Sequence, residues 1–137
     1  MKRSTEIKKL DAALSKLVRL GFADDNGYVQ CFTCGKMKDW KYETDCGHFQ
    51  SRSKYSTRWL FDPDNGMVNV MPQCKGCNMS NGGQQYVFGK RLDAVYGEGT
   101  AQKIVDLSNT IVKFSTAELV EMRKSIEEDL RRNMAEG

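Results

Sequence analysis

The chain has no apolar run approaching the 18 residues expected of a membrane-spanning helix. It also lacks an internal repeat and any low-complexity stretch, which removes solenoid and fibrous architectures from consideration. Its start, Met1-Lys2-Arg3-Ser4-Thr5-Glu6, is basic but leads into an amphipathic segment, not the apolar centre of a secretory signal. A cytoplasmic protein without membrane association is therefore expected. Excess charge of one sign is missing too: the formal net charge is +3, too small by itself to argue a polyanionic partner. Histidine is nearly absent, so any imidazole chemistry must fall to His48. At 137 residues the chain can form one compact core without outside help.

What cysteine there is falls in a pattern. Cys31-Phe32-Thr33-Cys34 and Cys74-Lys75-Gly76-Cys77 are two Cys-x2-Cys pairs separated by residues 35–73. In a reducing compartment such pairs argue for zinc over disulfides. Each tight turn aims two thiolates inward, and four thiolates make a closed tetrahedral zinc site. Gly35 allows the backbone such a knuckle needs. Cys46 has no partner pair and is expected to be a small buried side chain outside the zinc site.

Apolar spacing predicts a helix over residues 4–20, capped by Ser4 or Thr5, with Ile7, Leu10, Leu14, Leu17 and Val18 on one face. Residues 1–20 carry six positive and two negative side chains, and most of the basic ones lie off that face. They form either a solvated surface or a DNA-backbone contact. Tyr28-Val29-Gln30 reads as a strand, Trp40 to Phe49 as a strand or hairpin arm, and Met67 to Met71 as a further strand. Between them, Gln50 to Arg58 is a polar, basic loop. A helix over 84–95 should bury Val87, Phe88, Leu92 and Val95, and another should cover 100–109. Ser115-Thr116-Ala117-Glu118 resembles a capping box, followed by a stripe of Leu119, Met122, Ile126 and Leu130 suited to core or a dimer surface. The expected class is α+β, with an N-terminal helix and linker over 1–27, a zinc-binding core over 28–97 and a helical region over 98–137.

Between the knuckles stands Asp45-Cys46-Gly47-His48-Phe49-Gln50-Ser51-Arg52. A lone histidine is most often a packing or surface residue, but this one lies beside acidic, amide and arginine groups. Gly47-His48-Phe49, Arg52, Thr57-Arg58, Asn65 and Gln73-Cys74-x2-Cys77-Asn78 together resemble the phage NinG family, called Rap in lambda-like phages. More broadly they resemble the zinc-bearing His-Asn-His (HNH) or His-Asn-Asn nucleases with a ββα-metal (His-Me finger) core, including phage endonuclease VII. The resemblance implies cleavage of Holliday junctions and related branched DNA, leaving a 5′-phosphate and a 3′-hydroxyl. It implies that His48 is the catalytic histidine at the end of a strand, that Asn65 is the middle asparagine ordering the loop, and that Asn78 binds the catalytic divalent ion. Cys31, Cys34, Cys74 and Cys77 take its structural zinc positions. One position departs from the wider pattern: the residue before the histidine is often a metal-binding aspartate, and here it is Gly47. Asp45, two residues earlier on the same strand face, is the nearest substitute, with Glu43 and Asp62 as alternatives.

These residue types suit phosphodiester hydrolysis. A neutral imidazole, with an ordinary pKa of about 6.5, can deprotonate an attacking water. Oxygen ligands such as Asn78 and a carboxylate suit magnesium or manganese, whereas the thiolates suit zinc. Arg52 can clamp a phosphate with its planar donor fork, and Lys54, Arg58 and Lys75 are further candidates for phosphodiester contacts. Resolving a four-way junction takes two strand breaks, so a homodimer is expected, joined through the C-terminal stripe or the helix over 4–20. The alternatives are a noncatalytic zinc-dependent DNA-binding module and an HNH nuclease without junction preference.

Overall fold

The computed structural model describes residues 2–136. Helix α1 (Arg3–Gly21) is followed by strands β1 (Tyr28–Gln30), β2 (Met37–Asp39) and β3 (Thr44–His48). A long excursion then carries helix α2 (Tyr55–Arg58), strand β4 (Phe61–Asp62), a 3-10 turn (Pro63–Asn65) and strand β5 (Met67–Val68). Strand β6 (Val70–Cys74), a π-helical turn (Gly76–Ser80) and helices α3 (Gln85–Tyr96), α4 (Thr100–Ser108) and α5 (Thr116–Glu136) complete the order. The fold is mixed α+β.

Its centre is the antiparallel pair of β3 and β6, in register from Thr44 opposite Cys74 to His48 opposite Val70. The expected strand within Trp40–Phe49 thus finds its partner beyond the whole excursion, not in a local hairpin. Side chains on successive strand residues point to opposite faces, so this pair separates two apolar clusters. Val70 packs with Leu10, Leu14, Val18, Trp59 and Leu119. Its neighbour Met71 packs with Phe32, Phe49, Phe88, Leu92 and Ile104. Burying each of these large side chains contributes roughly 1.5–3 kcal/mol.

Helix α1 shows the predicted stripe, but it starts earlier than the serine and threonine signals suggested. Lys2 is the N-cap, in extended conformation and without a side-chain cap, and Ser4 and Thr5 lie inside the helix. The α5 capping box does form: Ser115 N donates to Glu118 Oε1 at 3.1 Å and Glu118 N donates to Ser115 Oγ at 3.1 Å. Leu119 of α5 packs against Leu10 and Leu14 of α1, with Met122 and Ile126 beside them. Both stripes considered for a dimer contact are therefore spent on each other within one chain. Glu6 is buried in this contact and accepts from Arg123 Nε at 3.1 Å, a pairing that a buried carboxylate requires.

Two local expectations change. The basic loop contains the single turn of α2, and Val95 of α3 is exposed while Tyr96 packs on the second cluster. Among the described residues, no helix is long and apolar enough to cross a membrane.

Candidate functional site

The β1–β2 hairpin presents the first cysteine pair at its turn. Cys31 N donates to Lys36 O at 2.8 Å and Gly35 N to Cys31 O at 3.0 Å, with Gly35 at a φ of 80° that favours glycine. Cys74 ends β6 and Cys77 lies in the π-helical turn. The four sulfur atoms lie within 4.8 Å of one another, and Cys34 Sγ to Cys74 Sγ is 3.8 Å. A tetrahedron with Zn–S bonds of ~2.3 Å has S···S edges of ~3.8 Å. The donor set and its spacing thus fit structural zinc. Burial opposes charge at Cys31, but backbone groups of Cys74 and Cys34 outweigh it and lower that thiol's pKa. Burial and the neighbouring sulfurs raise Cys77 instead, so the four cannot all ionise without a cation between them. Cys46 stands apart, packed beside the α1 cluster, and burial pushes its thiol up to about 12.

A second group of polar residues lines an open hollow of about 640 Å³ between α1, β3 and the segment after Cys77. Asp11, Asp45, His48, Arg52 and Asn78 all face it. His48, at the end of β3, has Nε2 2.9 Å from the carbonyl oxygen of Arg58. A carbonyl only accepts, so in the neutral ring Nε2 carries the hydrogen and Nδ1 is the nitrogen without one. Burial lowers the His48 pKa, and the positive charge of Arg52 adds to this, against the Arg58 carbonyl, the Asp11 charge and the Cys46 backbone, which oppose it. The ring is therefore neutral at neutral pH.

Asp45 and Asn78 meet across the hollow: Asn78 Nδ2 donates to Asp45 Oδ2 at 3.0 Å. Lys75 pairs with the other carboxylate oxygen of Asp45. Turning the Asn78 carboxamide by half a revolution would place its oxygen beside that carboxylate, so the pair fits a hard divalent cation. Glu43 and Asp62 do not reach the hollow. Glu43 accepts from Asp39 N at 3.0 Å and Asp62 from Asn65 Nδ2 at 2.8 Å.

The loop-ordering asparagine is not where the motif suggested. Asn65 sits exposed on the 3-10 turn, and its amide is bonded to Asp62, away from His48. Asn69 is fully buried and closes the excursion instead. Its Oδ1 accepts from Gln50 N at 2.8 Å, its Nδ2 donates to Thr57 O at 2.9 Å, and its carbonyl accepts from Phe49 N at 2.8 Å. The signal was present as one amide within Val68-Asn69-Val70, because a polar side chain amid strand apolar residues must find partners. Replacing Asn69 by alanine should cost about 1–3 kcal/mol for each backbone group left unpaired. Urea unfolding of the zinc-loaded protein would measure this; a loss under ~0.5 kcal/mol would show that the loop does not depend on Asn69.

Asp11 is the other residue that sequence reasoning missed. It accepts from Arg58 Nε at 3.1 Å, Arg58 Nη2 at 2.6 Å, Arg52 Nη2 at 2.6 Å and Trp59 Nε1 at 2.8 Å. Burial works against its charge, but these donors hold its carboxyl below the ordinary range. Arg58 is consequently an internal brace: its guanidinium lies 5.3 Å over the Trp59 ring, only 14% of its side chain is exposed, and its carbonyl holds His48. It is not free to reach a phosphodiester in this arrangement. Arg52 shares Asp11 but keeps 58% of its side chain exposed. Lys54 lies outside the hollow, bonded to Asn109 Oδ1 at 3.3 Å.

These features define a mixed α+β protein built on a four-cysteine metal cluster, with a polar hollow beside it. The chain belongs to the bacteriophage lambda NinG protein family, whose model matches residues 1–136. No curated protein and no solved structure matches it significantly.

Proposed function

We propose that the protein is a metal-dependent endonuclease that cleaves Holliday junctions and related branched DNA. The observation that carries this reading is the meeting of His48, Asp45 and Asn78 in one hollow beside the zinc cluster. The antiparallel pair of β3 and β6, followed by the turn and helix α3, supports reading this part of the mixed α+β fold as a ββα-metal core. Family membership supports the same conclusion.

Asp45 and Asn78 would hold magnesium or manganese, which supplies stabilisation of charge on the phosphate and leaving oxygens. His48 Nδ1 takes the proton of the attacking water, while the bond from Nε2 to the Arg58 carbonyl keeps the ring aimed. Arg52 grips the phosphate by exchanging Asp11 for the substrate, an exchange its exposure allows. Asp11 and Arg58 act as positioning residues. Lys75, half-exposed beside Asp45, extends the positive rim along the DNA backbone.

Two cuts in a four-way junction call for two such sites, which a symmetric pair of chains supplies. Since α1 and α5 cover each other's stripes, that pair forms through another surface.

The decisive assay compares linear, nicked, D-loop and four-way DNA with magnesium or manganese. Cleavage of the four-way substrate well above linear duplex is expected. Equal cutting of all four would leave a nuclease without junction preference, and DNA binding without metal-dependent cleavage would overturn the enzymatic reading.

A further inference from the structure

Gln73 is fully buried on β6, directly opposite Asp45 in the strand ladder. Its Nε2 donates to the carbonyl oxygen of Gly83 at 2.9 Å and to Thr33 Oγ1 at 3.1 Å. The Gly83 carbonyl can only accept, so the orientation of the Gln73 amide is settled. Its oxygen then points the other way, toward Gly47, where no hydrogen-bond donor meets it. Among the described residues, Gln73 Oε1 is the one buried side-chain nitrogen or oxygen without a hydrogen-bond partner. Such atoms are rare in folded proteins, and an absent ion or water is a standard reason for one.

The position of that oxygen is informative. A Cβ built on Gly47 would lie 1.9 Å from Gln73 Oε1 and 2.5 Å from its Cδ. Glycine at 47 is thus the condition for the Gln73 side chain to occupy this space. Asp45, Gly47 and Gln73 share one face of the β3–β6 pair, since residues two apart and residues directly opposite point alike. Asp45 in turn bonds Asn78. Gly83, whose carbonyl anchors the amide, lies on the wall of the hollow with Asp45 and Asn78.

We propose that Gln73 supplies an oxygen ligand to the divalent ion held by Asp45 and Asn78, in the place that a side chain at position 47 would take. Hard divalent ions accept carboxylate and carboxamide oxygens alike. Gly47 and Gln73 form a matched pair, the first vacating the space and the second filling it with an oxygen. This inference rests on reading the hollow as a nuclease metal site. The competing occupant of Oε1 is a buried water with a purely structural role.

The test is manganese titration of the zinc-loaded full chain, with free manganese followed by electron paramagnetic resonance and zinc by elemental analysis. Gln73→Met should weaken manganese binding at least ~tenfold with zinc content unchanged, as should the comparison variant Asp45→Asn. Gln73→Glu adds charge to the ligand set and removes the donor to Gly83, so it should bind manganese more tightly than wild type. A structural glutamine predicts the opposite for that variant, because a carboxylate would face the Gly83 carbonyl. Manganese affinity in a zinc-loaded Gln73→Met protein within twofold of wild type would overturn the proposal, as would weaker or unchanged binding in Gln73→Glu. A wild-type crystal soaked in manganese decides without substitution: an anomalous peak within bonding distance of Oε1 supports the ligand, and a peak elsewhere in the hollow refutes it. Manganese held through Asp45 but indifferent to Gln73 would defeat this inference alone. No manganese site in the wild type would defeat the metal assignment as well.

Discussion

His48→Ala should lower junction cleavage by ~10²–10⁴-fold, the usual contribution of a positioned general base, while DNA binding and zinc content stay at wild-type levels. The structural case rests on the ring's state and its aim. Burial keeps the imidazole neutral and the Arg58 carbonyl fixes the hydrogen on Nε2, so Nδ1 is a ready proton acceptor. Alanine at the end of β3 keeps the ladder to Val70, and the lost side-chain hydrogen bond is a modest change for the fold. The same state predicts a pH profile. Cleavage requires the neutral form, so the rate should rise with pH through the His48 pKa and level off above it. Because that pKa is lowered, the midpoint of the rise should fall below the ordinary histidine value of about 6.5. The measurement is kcat/KM against pH at saturating magnesium, for wild type and His48→Ala. Loss of the acid limb in the variant is expected. A variant that cuts as fast as wild type would remove His48 from the chemistry.

Removing the zinc should have the largest effect on the fold. Structural zinc sites bind with ~10–16 kcal/mol at neutral pH, which in small domains is largely folding free energy. Here the cluster joins the β1–β2 turn to the end of β6 and to the π-helical turn. Without the ion, the four thiols cannot all ionise at such distances, and protonated sulfurs no longer hold the turns together. Cys77→Ser, or treatment with a strong zinc chelator, should release the ion and expose the amides of residues 28–39 and 74–83 to hydrogen exchange. Cleavage should vanish with it, since Asn78 adjoins Cys77 in the turn. Added magnesium should not restore either property, because oxygen-seeking magnesium does not replace zinc among thiolates. The α1–α5 contact, which shares no residue with the cluster, should persist longer. Full protection of the knuckles after zinc loss would show that the hairpins hold themselves.

Much of this was legible in the residues because it is written in local spacing. The two Cys-x2-Cys turns, the stripes of α1 and α5, and the reciprocal Ser115–Glu118 cap each depend on neighbours within a few positions. That His48 ends a strand came from the likeness to the NinG family and not from local spacing, and β3 does end there. The choice of asparagine was not legible locally. Asn65 and Asn69 lie four residues apart in one turn-rich stretch, and only the closing of the excursion shows which amide ties Gln50 to Thr57. The sequence had offered Arg58 as a phosphate contact, but no spacing rule pairs it with Asp11, 47 residues away.

Local spacing alone sets the two cysteine pairs and the apolar stripes of α1 and α5, because turn and helix periodicities follow from short-range backbone geometry. The NinG likeness and the part given to His48 rest on the motif resemblance. Long-range packing sets how charge and space are shared among distant segments. It buries the α1 and α5 stripes against each other, turns Arg58 inward onto Asp11, hands loop closure to Asn69, and sets an unpartnered Gln73 oxygen where Gly47 has no side chain. The physical reason is common to all four. Desolvation and hydrogen-bond satisfaction depend on which atoms meet in space, and chain order does not specify those meetings.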